Sequence, residues 1–244
     1  MDCIDGMKLI DDKSIDMILT DLPYGVSSCS WDTPINLPLL WGQYRRILKD
    51  KSAVVLTSQQ PFTTTLICSN REWFKYAMVW QKTKPSNFLN AKNRPLGIHE
   101  DILVFSNGTI ANKSASLMKY NPQMQEGTPY KKFQKTDPRT GVWDVGNRTP
   151  YKGVTNNNFG TRYPQTIIKV SNPNNHSVHP TQKPVELFRY LIKTYSNKDD
   201  LILDGCIGSG TTAVAAKSCG RNFIGFETSQ EYCDISNKRV LETI

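Results

Sequence analysis

The sequence predicts an α/β fold, a mostly parallel sheet flanked by helices on both sides. Short apolar runs rich in branched and aromatic residues recur at Ile15–Thr20, Ala53–Thr57, Tyr76–Gln81, Asp101–Ser106, Leu201–Asp204 and Asn222–Phe226. Helix-like segments lie between them, the alternation that places covering helices on a parallel sheet. The length, 244 residues, suits one such domain or one domain with a sizeable insertion.

Taken in chain order, the first run, Ile15–Thr20, leads straight into Asp21-Leu22-Pro23-Tyr24-Gly25. Leu37–Lys49 spaces its apolar residues along one helical face, and Pro184–Tyr195 opens with proline where a first helical turn tolerates it. Leu201–Ala216, "LILDGCIGSGTTAVAA", reads as strand, acid, glycine-rich turn and helix in succession. Asn222–Phe226 is a further strand ending at Glu227, and Ser229–Leu241 is the closing helix.

Composition narrows the classes. Hydrophobic residues at 38% supply a core, and 21% charged residues argue against wholesale disorder. The balance of 30 Lys+Arg against 22 Asp+Glu gives +8, a charge that suits a nucleic-acid partner but also occurs in other basic enzymes. Six scattered cysteines without a C-x-x-C pair, and three histidines, argue for reduced thiols and no metal site. No apolar run approaches the roughly 20 residues of a membrane span. The N-terminus lacks the basic-then-apolar pattern of a signal peptide, so a cytoplasmic location is expected.

Residues Ala111–Tyr163 differ from the rest, being rich in Asn, Gln, Gly, Pro, Lys and Tyr with little apolar periodicity. From Ala111 to Val170 ten Lys/Arg face three acids, so +7 of the +8 sits there. Tyr120, Tyr130, Phe133, Trp143, Tyr151, Phe159 and Tyr163 are interleaved with that charge. A solvated loop is the plain explanation for such a stretch, but loops of this length inside a compact enzyme usually have a task. Cations for phosphates and flat rings for bases are what a nucleic-acid surface needs. The candidate contacts are Lys131, Lys132, Lys135, Arg139, Arg148, Lys152 and Arg162.

The glycine turn has three readings. Gly208-Ser209-Gly210-Thr211-Thr212-Ala213 matches the dinucleotide pattern G-x-G-x-x-A, a weak signal alone. Gly205 to Gly210 has phosphate-loop spacing, but Thr211 stands where that loop needs lysine. The third starts from Asp204, whose carboxylate suits an amine-bearing ligand, and Glu227, placed to accept from ribose hydroxyls. S-adenosylmethionine carries both features. For Asp21–Gly25 a strand-ending turn is the plain alternative, since Pro and Gly favour one.

Together these pieces resemble the DNA amino-methyltransferases of the permuted group, in which the catalytic tetrapeptide precedes the cofactor glycine motif. "TDLPYG" is similar to the family's Asp-Pro-Pro-Tyr motif and "DGCIGSGTT" to its cofactor motif. "HPTQKP" (His179–Pro184) is similar to the segment leading into the cofactor half, and "MDCIDGMKLIDDKSIDMILTD" follows the family's approach to the tetrapeptide. Two departures stand out: Leu22 replaces the second-position proline, and Gly205-Cys206 replaces Pro-Phe. The family normally has a short strand before the acid that corresponds to Asp2, whereas this sequence begins at Met1.

The resemblance implies a Rossmann-like, circularly permuted methyltransferase fold that uses S-adenosylmethionine. It implies a catalytic half at 1–110, a target-recognition insertion at 111–165 and a cofactor-binding half at 166–244. Asp2, Lys183, Asp204, Gly208, Ser209, Gly210, Thr211 and Glu227 are the expected cofactor residues. Lys183 is read either as a cation for the cofactor carboxylate or a phosphate, or as a solvated lysine. Asp21, Leu22, Pro23 and Tyr24 are the expected catalytic set. A nucleobase amine is a poor nucleophile because its lone pair is shared with the ring. The Asp21 carboxylate and the residue 22 carbonyl would accept its hydrogens and stabilise the charge that develops. Pro23 would stiffen the turn. Tyr24 would stack on a base flipped out of double-stranded DNA.

Asp at the first tetrapeptide position implies adenine N6 rather than cytosine N4, and a homodimer is open. Trp31, in the "SSCSWD" segment Ser27–Asp32, is either a pocket wall or core. His179 is read as structural, and His99-Glu100 resembles a family pair with no assigned chemistry. Three rivals stay open: a protein glutamine methyltransferase, a nicotinamide oxidoreductase built on G-x-G-x-x-A, and a DNA-binding module without activity.

Overall fold

The computed structural model describes residues 1–25, 32–134, 154–172 and 182–243. Trp31, Lys135, Arg139, Arg148, Lys152 and His179 lie outside the described residues. The chain divides into two units, Met1–Asn121 with Gln165–Ile244, and Pro122–Pro164.

The first unit is built on a seven-stranded sheet. Its strands are β1 (Ile15–Asp21), β2 (Leu48–Ser58), β3 (Phe74–Ser86), β4 (Gly97–Ser106), β9 (Ile167–Lys169), β10 (Leu201–Asp204) and β11 (Asn222–Gly225). They lie in the order β11-β10-β1-β2-β4-β3-β9. The pairs β11/β10, β10/β1, β1/β2 and β3/β9 are parallel, while β4 runs antiparallel to β2 and β3. The mostly parallel sheet read from the sequence is therefore present.

β1 lies inside the sheet, between β10 and β2, and is buried from Ile15 to Thr20. Its run is apolar except for Asp16, whose buried carboxylate is paired with Lys49 at 2.8 Å, and the closing Thr20. A register shift between Ile15 and Met17 turns the alternation by one residue. Ile15 and Ile18 then face one core with Val54, Leu56, Leu103 and Phe105, packed under α1 (Cys3–Met7), α2 (Leu37–Ile47) and α3 (Phe62–Ser69). Met17 and Leu19 face the other core, under α4 (Val185–Tyr195) and α5 (Thr211–Ser218). The last helix is α6 (Gln230–Leu241).

Several boundaries differ from the sequence reading: β2 begins at Leu48 rather than Ala53 and β4 at Gly97 rather than Asp101. α2 stops at Ile47 rather than Lys49, because Leu48 is extended (φ −77°, ψ 130°) and pairs with Ile15 to begin β2. Strand β3 continues to Ser86, where Gly97 pairs with it, well past the apolar run that marks its start.

The unit Pro122–Pro164 consists of two small antiparallel ladders. β5 (Gln125–Glu126) pairs with β8 (Thr161–Arg162), and β6 (Tyr130–Gln134) pairs with β7 (Val154–Asn158). Lys131, Lys132, Phe133, Phe159 and Tyr163 are exposed on it.

Candidate active site at the carboxyl edge of the sheet

β1 and β10 are parallel neighbours in register at Ile18 and Leu203, so both run out at the same edge of the sheet. Parallel sheets bind ligands at that edge. It brings Asp21, at the end of β1, alongside Asp204 and the glycine turn that follow from β10. The Gly205 N–H donates to the Thr20 hydroxyl at 3.1 Å and ties the two strand ends together.

The tetrapeptide is held from several sides. Leu22 is buried in the core beneath α2. At Gly25 the backbone is left-handed (φ +68°), its N–H donates to the Asp32 carboxylate at 2.8 Å, and an added Cβ would lie 2.5 Å from Pro34. The Tyr24 ring packs against Phe62, with centroids 5.4 Å apart. Burial, then the nearby charges of Asp21 and Glu100, push the Tyr24 phenol well above its ordinary pKa, so it stays a donor.

Asp21 is already furnished with donors. Its Oδ1 accepts from the Tyr24 hydroxyl at 2.8 Å and from the Thr57 hydroxyl on β2. Its Oδ2 lies 2.7 Å from Lys183 Nζ. The Lys183 side chain is 7% exposed and stands 3.1 Å from Glu100 Oε2, so it is not the solvated lysine of the alternative reading. Burial works to lower the Lys183 pKa, but Asp21 and Glu100 outweigh it and hold the ammonium above the usual lysine value.

Glu227 and the glycine turn form a second cluster. Glu227 Oε2 accepts from the Gly208 N–H at 2.9 Å, while Oε1 accepts from the N–H groups of Thr228 (2.8 Å) and Ser229 (2.9 Å). Gly208 and Gly210 both have positive φ, +50° and +83°. A Cβ at Gly208 would meet open space, whereas one at Gly210 would lie 2.3 Å from Ser236 Oγ on α6. The Gly208 backbone, the fixed Glu227 carboxylate and the N-terminus of α5 lie together as a cradle that is open on the Gly208 side.

Other expected cofactor residues have internal partners here. Asp204 is 3% exposed and accepts from the Thr212 hydroxyl and from the Cys206 N–H at 3.0 Å. Burial, opposed by those donors and reinforced by Asp21, pushes its pKa up to about 7. Ser209 is gripped by Arg239, whose Nη1 donates to the Ser209 carbonyl and, at 3.1 Å, to its hydroxyl. Thr211 is buried, with its hydroxyl 3.4 Å from the Lys183 carbonyl. Asp2 is exposed and caps α1, accepting from Ile4 N–H at 2.8 Å. The next residue, Cys3, lies against Gly205, where an added Cβ would be 3.7 Å from the Cys3 Cβ.

In the unit Pro122–Pro164, Arg162, an expected DNA contact, has internal partners. Its guanidinium donates to Asn158, to the Thr128 carbonyl and, at 2.9 Å, to the Thr161 carbonyl, and it stacks 4.7 Å over the Tyr130 ring. Those bonds use it to hold the two ladders together. Among the described residues no three His, Cys, Asp or Glu side chains are grouped to hold a metal ion.

Glu100, Thr57 and Thr212 went unassigned in the sequence because each lies on a different element from the charged group it meets, Lys183, Asp21 and Asp204 respectively. For Glu100 the only signal was the His99-Glu100 pair.

A family model described as DNA methylase, of the N6/N4 type, matches residues 15–238. The chain belongs to the N6/N4 DNA methylase family. The chain is 28% identical over 252 residues to the type II methyltransferase M1.MboII of Moraxella bovis, covering 97% of this chain and 93% of that one. It is 26% identical to the DNA adenine methyltransferase YhdJ of Escherichia coli, covering 98% and 80%. Among solved structures, the M1.HpyAVI–SAM complex superposes with a TM-score of 0.61 at 22% identity, over 98% of this chain and 96% of that one. PvuII DNA methyltransferase, cytosine-N4-specific, superposes at 0.67 with 16% identity, over 98% and 84%. This DNA methylase thus has the fold of S-adenosylmethionine-dependent methyltransferases, its cofactor is S-adenosylmethionine, and its substrate is DNA. No described helix is long and apolar enough to cross a membrane.

Proposed function

We propose that this DNA methylase methylates the N6 amino group of adenine in a specific duplex sequence, with the base turned out of the helix into the site. The observation that carries the reading is the position of Asp21. Its carboxylate, flanked by Tyr24, stands at the same sheet edge as the glycine cradle. The cofactor, when bound, supplies an activated methyl group. Asp21 and the Leu22 carbonyl accept the amine hydrogens and stabilise the positive charge that grows on nitrogen. Tyr24, backed by the buried Phe62 ring, offers an aromatic face for the base. Glu227, fixed by three backbone N–H groups, accepts from the ribose hydroxyls, and Gly208 lets the ligand approach the backbone.

Adenine is favoured over cytosine by the aspartate at the first tetrapeptide position. Transfer of tritiated methyl from S-adenosylmethionine to duplex DNA, with protein as the competing acceptor, tests the substrate class. Label in DNA is expected, and label confined to protein would overturn the reading.

Asp204 gives the cofactor step a pH dependence. A carboxyl with a pKa near 7 is half protonated at neutral pH in the free enzyme. The raised value means that ionisation costs stability as pH climbs from about 4 to about 7. A bound ammonium group favours the ionised form, so cofactor binding releases a proton and tightens across that same window. Titration calorimetry with S-adenosylhomocysteine at pH 6 and pH 8 should show an affinity several-fold higher at pH 8. Asp204→Asn should flatten the difference.

In the second unit, Lys131 and Lys132 are proposed to bind DNA phosphates. Replacing both by Gln should flatten the plot of log affinity for duplex DNA against log salt by about 1.8, at about 0.9 for each phosphate no longer neutralised. An unchanged slope would make the pair a solvated face.

A further inference from the structure

Beside the tetrapeptide, side chains of alternating charge form a chain, Lys82, Glu100, Lys183 and Asp21, of which only Asp21 is appreciably exposed, at 23%. Lys82 Nζ lies 2.5 Å from Glu100 Oε1, and the two side chains are 10% and 7% exposed. Lys183 lies between the two carboxylates, 2.7 Å from Asp21 Oδ2 and 3.1 Å from Glu100 Oε2. The two distances are not equivalent interactions. Glu100 Oε2 is buried and receives no hydrogen bond, although an ammonium stands beside it.

The arrangement conflicts with a free catalytic acceptor. Oδ1 of Asp21 is filled by Tyr24 and Thr57, so an incoming amine has Oδ2 as its acceptor, and the Lys183 ammonium is there. Expelling a buried ammonium into an apolar wall would cost several kcal/mol. Turning it toward an acceptor that is adjacent, charged and short of a hydrogen bond costs far less, because the ammonium can aim its three donors independently.

We propose that Lys183 holds the place of the target amine on Asp21 until the base enters, and that Glu100 then receives the Lys183 ammonium. The proposal rests on the reading that Asp21 takes the amine. Lys183 and Glu100 are positioning residues in it. Lys183 keeps Asp21 paired and aimed while no base is present, and Glu100 makes its release cheap. Lys82 neutralises Glu100 on the far side, so the exchange leaves the chain balanced. No proton changes hands.

The test is a cycle of Glu100→Gln, Lys183→Met and the double variant in the full-length enzyme. Tritiated methyl transfer from saturating S-adenosylmethionine to duplex DNA of a methylation-deficient host gives kcat and KM for DNA. S-adenosylhomocysteine titration and thermal unfolding control for the cofactor site and the fold. Glu100→Gln should strand the ammonium on Asp21 and lower kcat/KM for DNA about 30-fold, while S-adenosylhomocysteine affinity stays within about twofold. Adding Lys183→Met should restore about tenfold of that loss, because no ammonium remains to be moved.

A merely structural pair would behave oppositely, with the double variant at least as slow as Glu100→Gln. That result, or a Glu100→Gln enzyme within about twofold of wild type, overturns the proposal. If Glu100→Gln does not fold, Glu100→Asp keeps the charge but withdraws it by one methylene, and Lys183→Met should relieve its smaller loss in the same way. A wild-type enzyme that binds S-adenosylhomocysteine and methylates no DNA overturns the underlying reading of Asp21. An active wild type without the suppression overturns this proposal alone.

Discussion

Asp21→Ala is expected to lower the rate of methyl transfer by about 10²–10³-fold, the scale for removing one group aimed at developing charge. The substitution takes away Oδ1 and Oδ2 together and leaves only the residue 22 carbonyl for the amine. The fold should tolerate it. Lys183 keeps Glu100 at 3.1 Å, so the buried ammonium is not abandoned, and the Thr57 and Tyr24 hydroxyls border a site open enough that Asp21 is 23% exposed. S-adenosylhomocysteine binding should change by about twofold or less, since Glu227 and the glycine turn do not depend on Asp21. Single-turnover transfer and calorimetric titration on the same preparation separate the two effects. Loss of both together would mean that Asp21 shapes the cofactor site rather than the chemistry.

Gly210→Ala should be the most damaging change in the cofactor half. At φ +83° a side chain is already disfavoured, and the new Cβ would stand 2.3 Å from Ser236 Oγ, 2.9 Å from Ser236 Cβ and 3.0 Å from its Cα. Helix α6 would have to move, at a cost of about 2–4 kcal/mol in stability. Cofactor affinity should fall with it, because Ser209 is held by Arg239 of the same helix. Gly208→Ala is the informative contrast. Its φ is +50° but open space surrounds the added Cβ, so the stability cost should be about 1 kcal/mol. If the cofactor uses that space, affinity should drop more than stability does. Chemical denaturation and S-adenosylhomocysteine titration of both variants give the comparison.

Much of the first unit was legible because its information is local. A short, mainly apolar run such as Ile15–Thr20, with its branched residues, reads as a strand covered on both faces, and the glycines at 208 and 210 announce a turn with positive φ. The site was legible to the extent that its residues travel together in one motif. What escaped was long-range pairing. Asp16 and Lys49, for example, meet at 2.8 Å across 33 positions, and Glu100 meets Lys183 across 83.

The same limit explains Lys183 and Arg162. A lysine or arginine in a polar stretch reads as solvated or as a phosphate ligand until its carboxylate or carbonyl partners are placed around it. β7 was hidden for another reason. Asn156, Asn157 and Asn158 have little strand propensity, and their pairing with Lys132, Lys131 and Tyr130 is visible only in the ladder.

The central claim is that the Asp21 carboxylate receives the N6 amino group of adenine. Wild-type and Asp21→Ala enzymes, incubated with S-adenosylmethionine and duplex DNA from a methylation-deficient host, give the direct test when the DNA is digested and its nucleosides are weighed by mass spectrometry. N6-methyldeoxyadenosine from the wild type, and next to none from the variant, is the predicted result. N4-methyldeoxycytidine in its place, or equal methylation by the variant, would contradict the account.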